Sequence, residues 1–105
     1  MNLDKIELHD AQLKSMHVDY VAKSVTVNLE YYKSEEDSKR KAAAVVFEKV
    51  ETVSQIGDLE KLQDNARAGN VVFWHPANGS GTTEIYLTGG ILAITAKKVR
   101  FKELK

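Results

Sequence analysis

Two alternating apolar runs, Glu84-Ile85-Tyr86-Leu87 and Ile91-Leu92-Ala93-Ile94-Thr95, meet across Gly89-Gly90, and this junction constrains the chain more than any other feature. A tight type I′ or II′ turn needs positive φ, which glycine adopts without a steric penalty, and its twist matches that of the strands it joins. Residues 83–101 are therefore expected to hold a β-hairpin. A lone hairpin is marginal in water, so the rest of the chain must supply a sheet around it.

The same two-residue period recurs upstream. Met16, Val18 and Tyr20 alternate with Ser15, His17 and Asp19, as in a strand with one face in the core. After the short link Val21-Ala22-Lys23, the residues Val25, Val27, Leu29 and Tyr31 alternate with Thr26, Asn28, Glu30 and Tyr32. So short a link permits only antiparallel pairing. The polar run 34–41, with opposed charge blocks, reads as a solvated loop. A third strand is expected through Ala43, Val45 and Phe47. Because Phe47 and Val50 are three apart, keeping both inward predicts a bulge or bend near Glu48-Lys49.

Asp58 can cap a helix of about three turns in which Leu59, Leu62 and Ala66 share a stripe, with Gly69 ending it. Val71-Val72-Phe73-Trp74, halted by Pro76, is apolar on both sides and reads as a centrally placed fourth strand. Asn78-Gly79-Ser80-Gly81 turns the chain into the hairpin. In the last strand Leu92, Ile94 and Ala96 share a face that Val99 and Phe101 leave, which predicts a second irregularity at Ala96-Lys97. The first dozen residues show neither period and read as a loosely ordered lead-in.

The expected fold is mainly β (α+β by strict count), a single domain over residues 1–105. It is an antiparallel meander of about six strands, curled into a barrel or a two-layer sandwich, with one short helix.

Fifteen Lys and Arg balance fifteen Asp and Glu, so no summed field draws this chain to nucleic acid or an anionic membrane. The zero formal charge also removes one barrier to self-association. The absence of cysteine excludes disulfides, thiolate zinc sites, iron–sulfur clusters and a cysteine nucleophile. Residues 1–7 lack the positive start and apolar core of a secretory signal, and no run approaches the length of a membrane span, so the expected location is cytoplasmic. No cofactor is expected.

The histidines and their neighbouring acids are the candidate polar sites: His9, Asp10, His17, Asp19 and His75. His17 and Asp19 share one strand face, and with His75 they could serve a metal-dependent or hydrolytic enzyme. Against this, outward polar residues on a strand commonly pair across to Thr26, Asn28 or Glu30. No metal site is assigned. Among the aromatics, Tyr32, Trp74 and Tyr86 fall opposite in parity to Tyr31, Phe73 and Leu87, which makes them candidate interface anchors. The basic cluster Lys97, Lys98, Arg100 and Lys102 is not interleaved with them, which weakens a nucleic-acid stacking platform.

With Leu8-His9-Asp10-Ala11, Leu13-Lys14-Ser15-Met16-His17-Val18-Asp19, Phe47-x-x-Val50 and Gly90-Ile91-Leu92 read in order, the chain resembles small β-rich bacterial proteins of uncharacterised families. Some of these are grouped with the immunity proteins of polymorphic toxin systems. The resemblance implies a non-enzymatic bacterial domain that binds a partner protein, and it supplies no catalytic residue. His9 and Asp10 are then expected to tie the amino-terminal segment onto the sheet through hydrogen bonds. The leading expectation is a protein-binding module, immunity-like or a homodimer. The alternatives are the small enzyme built on His17, Asp19 and His75, and a ligand-holding β-barrel.

Overall fold

A computed structural model describes residues 3–34 and 36–104 of the chain. Glu35 of the expected loop, together with Met1, Asn2 and Lys105, lies outside the described residues. Six strands form one antiparallel sheet: β1 (Gln12–Asp19), β2 (Ser24–Tyr31), β3 (Lys41–Gly57), β4 (Val71–His75), β5 (Gly81–Leu87) and β6 (Gly90–Glu103). Their order is β1-β2-β3-β6-β5-β4, and one short helix, α1 (Leu59–Asp64), follows β3. The sheet curls without closing into a barrel.

The curl follows from two strands that each serve two layers. Residues 41–47 of β3 pair with β2, while β3 from Ala43 to Gly57 pairs with β6. Residues 90–96 of β6 pair in turn with β5. The first half of β3 and the last half of β6 thus belong to a layer with β1 and β2, and their other halves to a layer with β5 and β4. The change of layer falls where the alternation predicts an irregularity. Lys49 takes a positive φ of 54°, and the register with β6 slips between Val50 and Thr52. The bend lets Phe47 and Ala96 both point inward, 0% and 3% exposed.

The core lies between the layers. Val25, Val27, Leu29, Val45 and Phe47 from one meet Ile85, Leu92 and Ile94 from the other, all essentially inaccessible to water. Phe101 joins the two, 5.0 Å from the Tyr31 ring and 6.5 Å from that of Trp74.

Several expectations need correction. Tyr20 does not continue β1 into the core. It sits in the turn, 85% exposed, where Asp19 Oδ1 accepts hydrogen bonds from the backbone of Val21 and Ala22 and ends the strand. The β5–β6 turn is Thr88-Gly89, with positive φ at Gly89 alone, because Gly90 already pairs with Leu87. Gly90 is small for another reason: a Cβ there would stand 2.2 Å from the Ile56 carbonyl oxygen. Helix α1 is shorter than the stripe suggests. Asp58 caps it by accepting from Lys61 N–H, Leu62 is buried, and Leu59 is 74% exposed.

The fourth strand is not central. β4 lies at the sheet's end, and its register with β5 slips between Val71 and Phe73. The amino-terminal segment is no loose lead-in either. Leu3, Leu8 and Ala11 are buried in the core, and the segment lies along β4. His9 Nδ1 donates to the Val72 carbonyl at 2.8 Å and Asp10 N–H to the Val71 carbonyl at 3.0 Å, so this pair does tie the segment down. Trp74 Nε1–H donates to the Ile6 carbonyl at 2.8 Å.

Asn70 locks the seam where the two ends of the sheet approach each other. It is 3% exposed, its side-chain oxygen accepts from Leu13 N–H, and its amide donates to the Leu62 carbonyl. Its backbone N–H donates to Ala11 and its carbonyl accepts from Thr88. Gly69 beside it has φ +111°, and a Cβ there would meet the Asp10 carbonyl oxygen at 2.2 Å. Replacing Asn70 by alanine strands a buried donor and a buried acceptor, so Asn70→Ala should lower unfolding stability by about 2–4 kcal/mol. A urea midpoint within error of wild type would contradict this.

The end of β6 is tied to β2 through Tyr31, whose hydroxyl donates to Glu103 Oε1 at 2.8 Å. Burial, then the hydrogen bond and charge of Glu103, push the Tyr31 phenol up from 10.0 to about 12. The same bond, followed by that from Lys33, holds Glu103 below its ordinary value. A raised phenol stabilises the fold fully below pH 10.0 and ceases to do so as pH climbs through about 12. A lowered carboxyl contributes above its ordinary 4.5, and that contribution fades as pH falls through the folded value. Tyr31→Phe should therefore lower stability most between these limits. The variant should also lack the phenolate absorbance step expected from Tyr31 of the wild type near pH 12.

Candidate functional site

A row of side chains crosses the outer face of the second layer. Ile56 of β3 stands opposite Ile91 of β6, Ile91 opposite Tyr86 of β5, and Tyr86 opposite Phe73 of β4. Ile91, Tyr86 and Phe73 point away from the core, because their strand neighbours Leu92, Ile85 and Trp74 point into it, and Ile56 lies on the side of its cross-strand partner Ile91. Ile56 is 70% exposed and Phe73 42%, while Ile91 and Tyr86 are half-buried by their neighbours. Phe73 stacks on Tyr86 with centroids 4.4 Å apart and planes 14° apart, and His75 packs against both rings. Desolvation, then the adjacent Glu84 carboxylate, raises the Tyr86 phenol. The row carries no formal charge.

Tyr86 is thus on the outer face as expected, but Trp74 is not. The slip between Val71 and Phe73 exchanges the parity of β4, so Trp74 turns into the core at 7% exposure and Phe73 turns out. Val71 and Trp74 are three apart, the same spacing that signals the bend in β3, and that spacing could have identified Phe73. Tyr32 lies elsewhere, half-buried beside the β2–β3 connection with the Arg40 guanidinium 4.6 Å above its ring. Arg40 also donates to the carbonyls of Asp10 and Arg67.

The polar candidates are not brought together. His17 projects from the outer side of the first layer, opposite Thr26, and Asp19 is engaged in the β1–β2 turn. His75 is on the outer side of the second layer with the aromatic row. His9 lies near Asp10, Nε2 to Oδ2 3.5 Å, with both side chains largely exposed. Among the described residues no three His, Asp or Glu side chains converge in a way that could hold a metal ion.

The interior between the layers is packed with Phe47, Leu29, Ile85, Leu92 and Ile94 at under 2% exposure, and the sheet around it does not close into a barrel. Clefts lie outside the core, among them one against the β1–β2 turn lined by Val18, Lys23 and Val50. One of about 900 Å³ lies between the amino-terminal segment and the β2–β3 connection, and one of about 340 Å³ between that segment and β4. The basic residues at the end of β6 project from the first layer, where Arg100 Nε donates to Glu48 at 2.8 Å, away from the exposed aromatic rings.

Both sheet ends are protected from strand addition. The amino-terminal segment covers β4, and the register of β1 slips at exposed Lys14, a residue type and an irregularity that discourage edge pairing. The contrast between Trp74 and Phe73 is measurable in urea. Trp74→Ala should cost about 3–5 kcal/mol as a large core truncation, whereas Phe73→Ala, losing a stacked surface contact, should cost about 1 kcal/mol. Equal losses would contradict the placement of the two rings. No helix among the described residues is long and apolar enough to cross a membrane. No family model, curated protein or solved structure matches this chain.

Proposed function

We propose that this chain is a non-enzymatic protein-binding module of the bacterial cytoplasm whose outer second-layer face pairs with a second copy of itself. The observation that carries the reading is the uncharged row Ile56–Ile91–Tyr86–Phe73, one residue from each of four adjacent strands. Exposed apolar side chains scattered singly need no explanation, but a contiguous row across a sheet marks an interaction surface. Such a surface is most favourably covered by one equally apolar.

A second copy meets that requirement by symmetry. In a two-fold pair the aliphatic end at Ile56 would lie on the aromatic end at Phe73, and each copy would bury the same patch. Zero net charge leaves no long-range repulsion between the copies. With β4 covered and β1 interrupted, the outer face rather than either end of the sheet serves self-pairing. The non-enzymatic, bacterial and partner-binding parts of the reading rest on the resemblance read from the sequence alone.

Light scattering tests it. The 11.7 kDa chain should run at twice its mass at micromolar concentration. Ile56→Asp and Ile91→Asp, each placing a charge in the row, should return it to monomer with an unchanged circular dichroism spectrum. A wild-type protein that stays monomeric over the whole accessible concentration range would refute self-pairing.

A further inference from the structure

Besides its two end strands, the sheet has an edge within β3. This strand pairs with β2 only as far as Phe47, and Val50 N–H then donates to the Lys23 carbonyl at 2.8 Å. Over residues 52–57 it pairs with β6 alone. Leu87 and Gly90 close the β5–β6 turn as a bonded pair, so the Gly90 amide faces β5, and Asp58 N–H donates to the Gly89 carbonyl at 3.0 Å. Antiparallel alternation therefore directs the backbone groups of Thr52, Ser54 and Ile56 to β6, and turns the N–H and C=O of Val53, Gln55 and Gly57 outward. No described residue bonds to these outward groups. Residues 52–57 also contain no charge and no proline, the usual devices that blunt an edge. Beside them opens a cleft of about 120 Å³ walled by Val18, Val25, Val50 and Val53.

We propose that residues 52–57 receive an extended segment of a partner protein as an added strand, with one aliphatic side chain of that segment in the cleft. In strand addition the main chain supplies affinity and alternate side chains supply selectivity. Val53, Gln55 and Gly57 offer donors and acceptors at the two-residue spacing of a ladder. Val53 packs toward the core and forms part of the cleft wall, and a partner residue paired opposite it projects to the same side. The cleft suits one branched aliphatic side chain, whose burial is favourable. A second copy of this chain fits less well. The two-fold register that pairs all three outward residues sets Gln55 against Gln55 and Gly57 against Val53, so no side chain enters the cleft. An added strand extends the sheet sideways and leaves the outer-face row accessible, so the proposal does not rest on self-pairing.

The probe is the acetylated, amidated heptapeptide Thr-Lys-Thr-Leu-Thr-Lys-Thr, titrated into the intact protein labelled with nitrogen-15. The amide signals of Val53, Gln55 and Gly57 should shift and saturate, with a dissociation constant of the order of 1 mM for so short a strand. Aspartate in place of the leucine should weaken binding about tenfold or more. The same peptide N-methylated at the leucine and both lysines, which lacks the N–H groups of the new ladder, should not bind. Gln55→Pro removes an N–H that β6 does not use, so it should leave the circular dichroism spectrum unchanged and weaken binding about tenfold or more. Ile91→Asp should bind the peptide as wild type does, which separates this result from the oligomeric state. Equal binding of the N-methylated peptide would overturn the proposal. So would shifts at Val53, Gln55 and Gly57 that follow dilution of the protein alone, which would assign the edge to a second copy.

Discussion

The length of β3 and β6 is the constraint on which the rest of the molecule depends. A seventeen-residue strand paired along most of its length with a fourteen-residue one cannot stay flat beside short partners. The bend at Lys49, with the register slip after it, lets one half of the pair face β1 and β2 and the other half face β5 and β4. The hydrophobic core is the volume this fold encloses. Burial of Phe47, Ile85 and Ile94 there supplies the dominant stabilisation, because each apolar side chain removed from water contributes about 1.5–3 kcal/mol before entropy is counted.

Once the ribbon folds on itself, its two end strands approach each other and their unpaired backbone groups need partners. The amino-terminal segment fills this seam, with Leu8 and Ala11 as its apolar contacts and Asn70 as its polar lock. The consequence for function is indirect but strong. Covering β4 removes, at that end of the sheet, the commonest route by which a sheet recruits another chain, and it leaves the outer face of the second layer as an exposed apolar surface. Fold and proposed interaction surface thus share one cause.

How much of this could be read from the residues alone depended on whether the signal was local. The alternation of Val25, Val27, Leu29 and Tyr31 is local, and so is the three-residue gap between Phe47 and Val50 that marks the bend. The slip in β4 carried the same kind of gap, between Val71 and Trp74, but in so short a strand the apolar residues on either side masked it. That inverted the assignment of Phe73 and Trp74. Leu3, Leu8 and Ala11 have no period because their segment pairs through scattered bonds rather than a ladder. Asn70 could not be recognised at all, since its partners lie 8 and 57 residues away in sequence. Tyr86 was identifiable as an outward residue, whereas Ile56 became so only once its pairing with Ile91 was known.

On the proposed reading, the row from Ile56 to Phe73 is covered by the same row of a second copy. Isotope-filtered NMR on a mixed sample of labelled and unlabelled chains tests this directly, because only contacts between molecules give signal. Cross-peaks are expected from the Ile56 methyl groups of one copy to the Phe73 and Tyr86 rings of the other. Intermolecular peaks confined to the exposed Tyr20-Val21 turn or to β1, with none from the row, would contradict it.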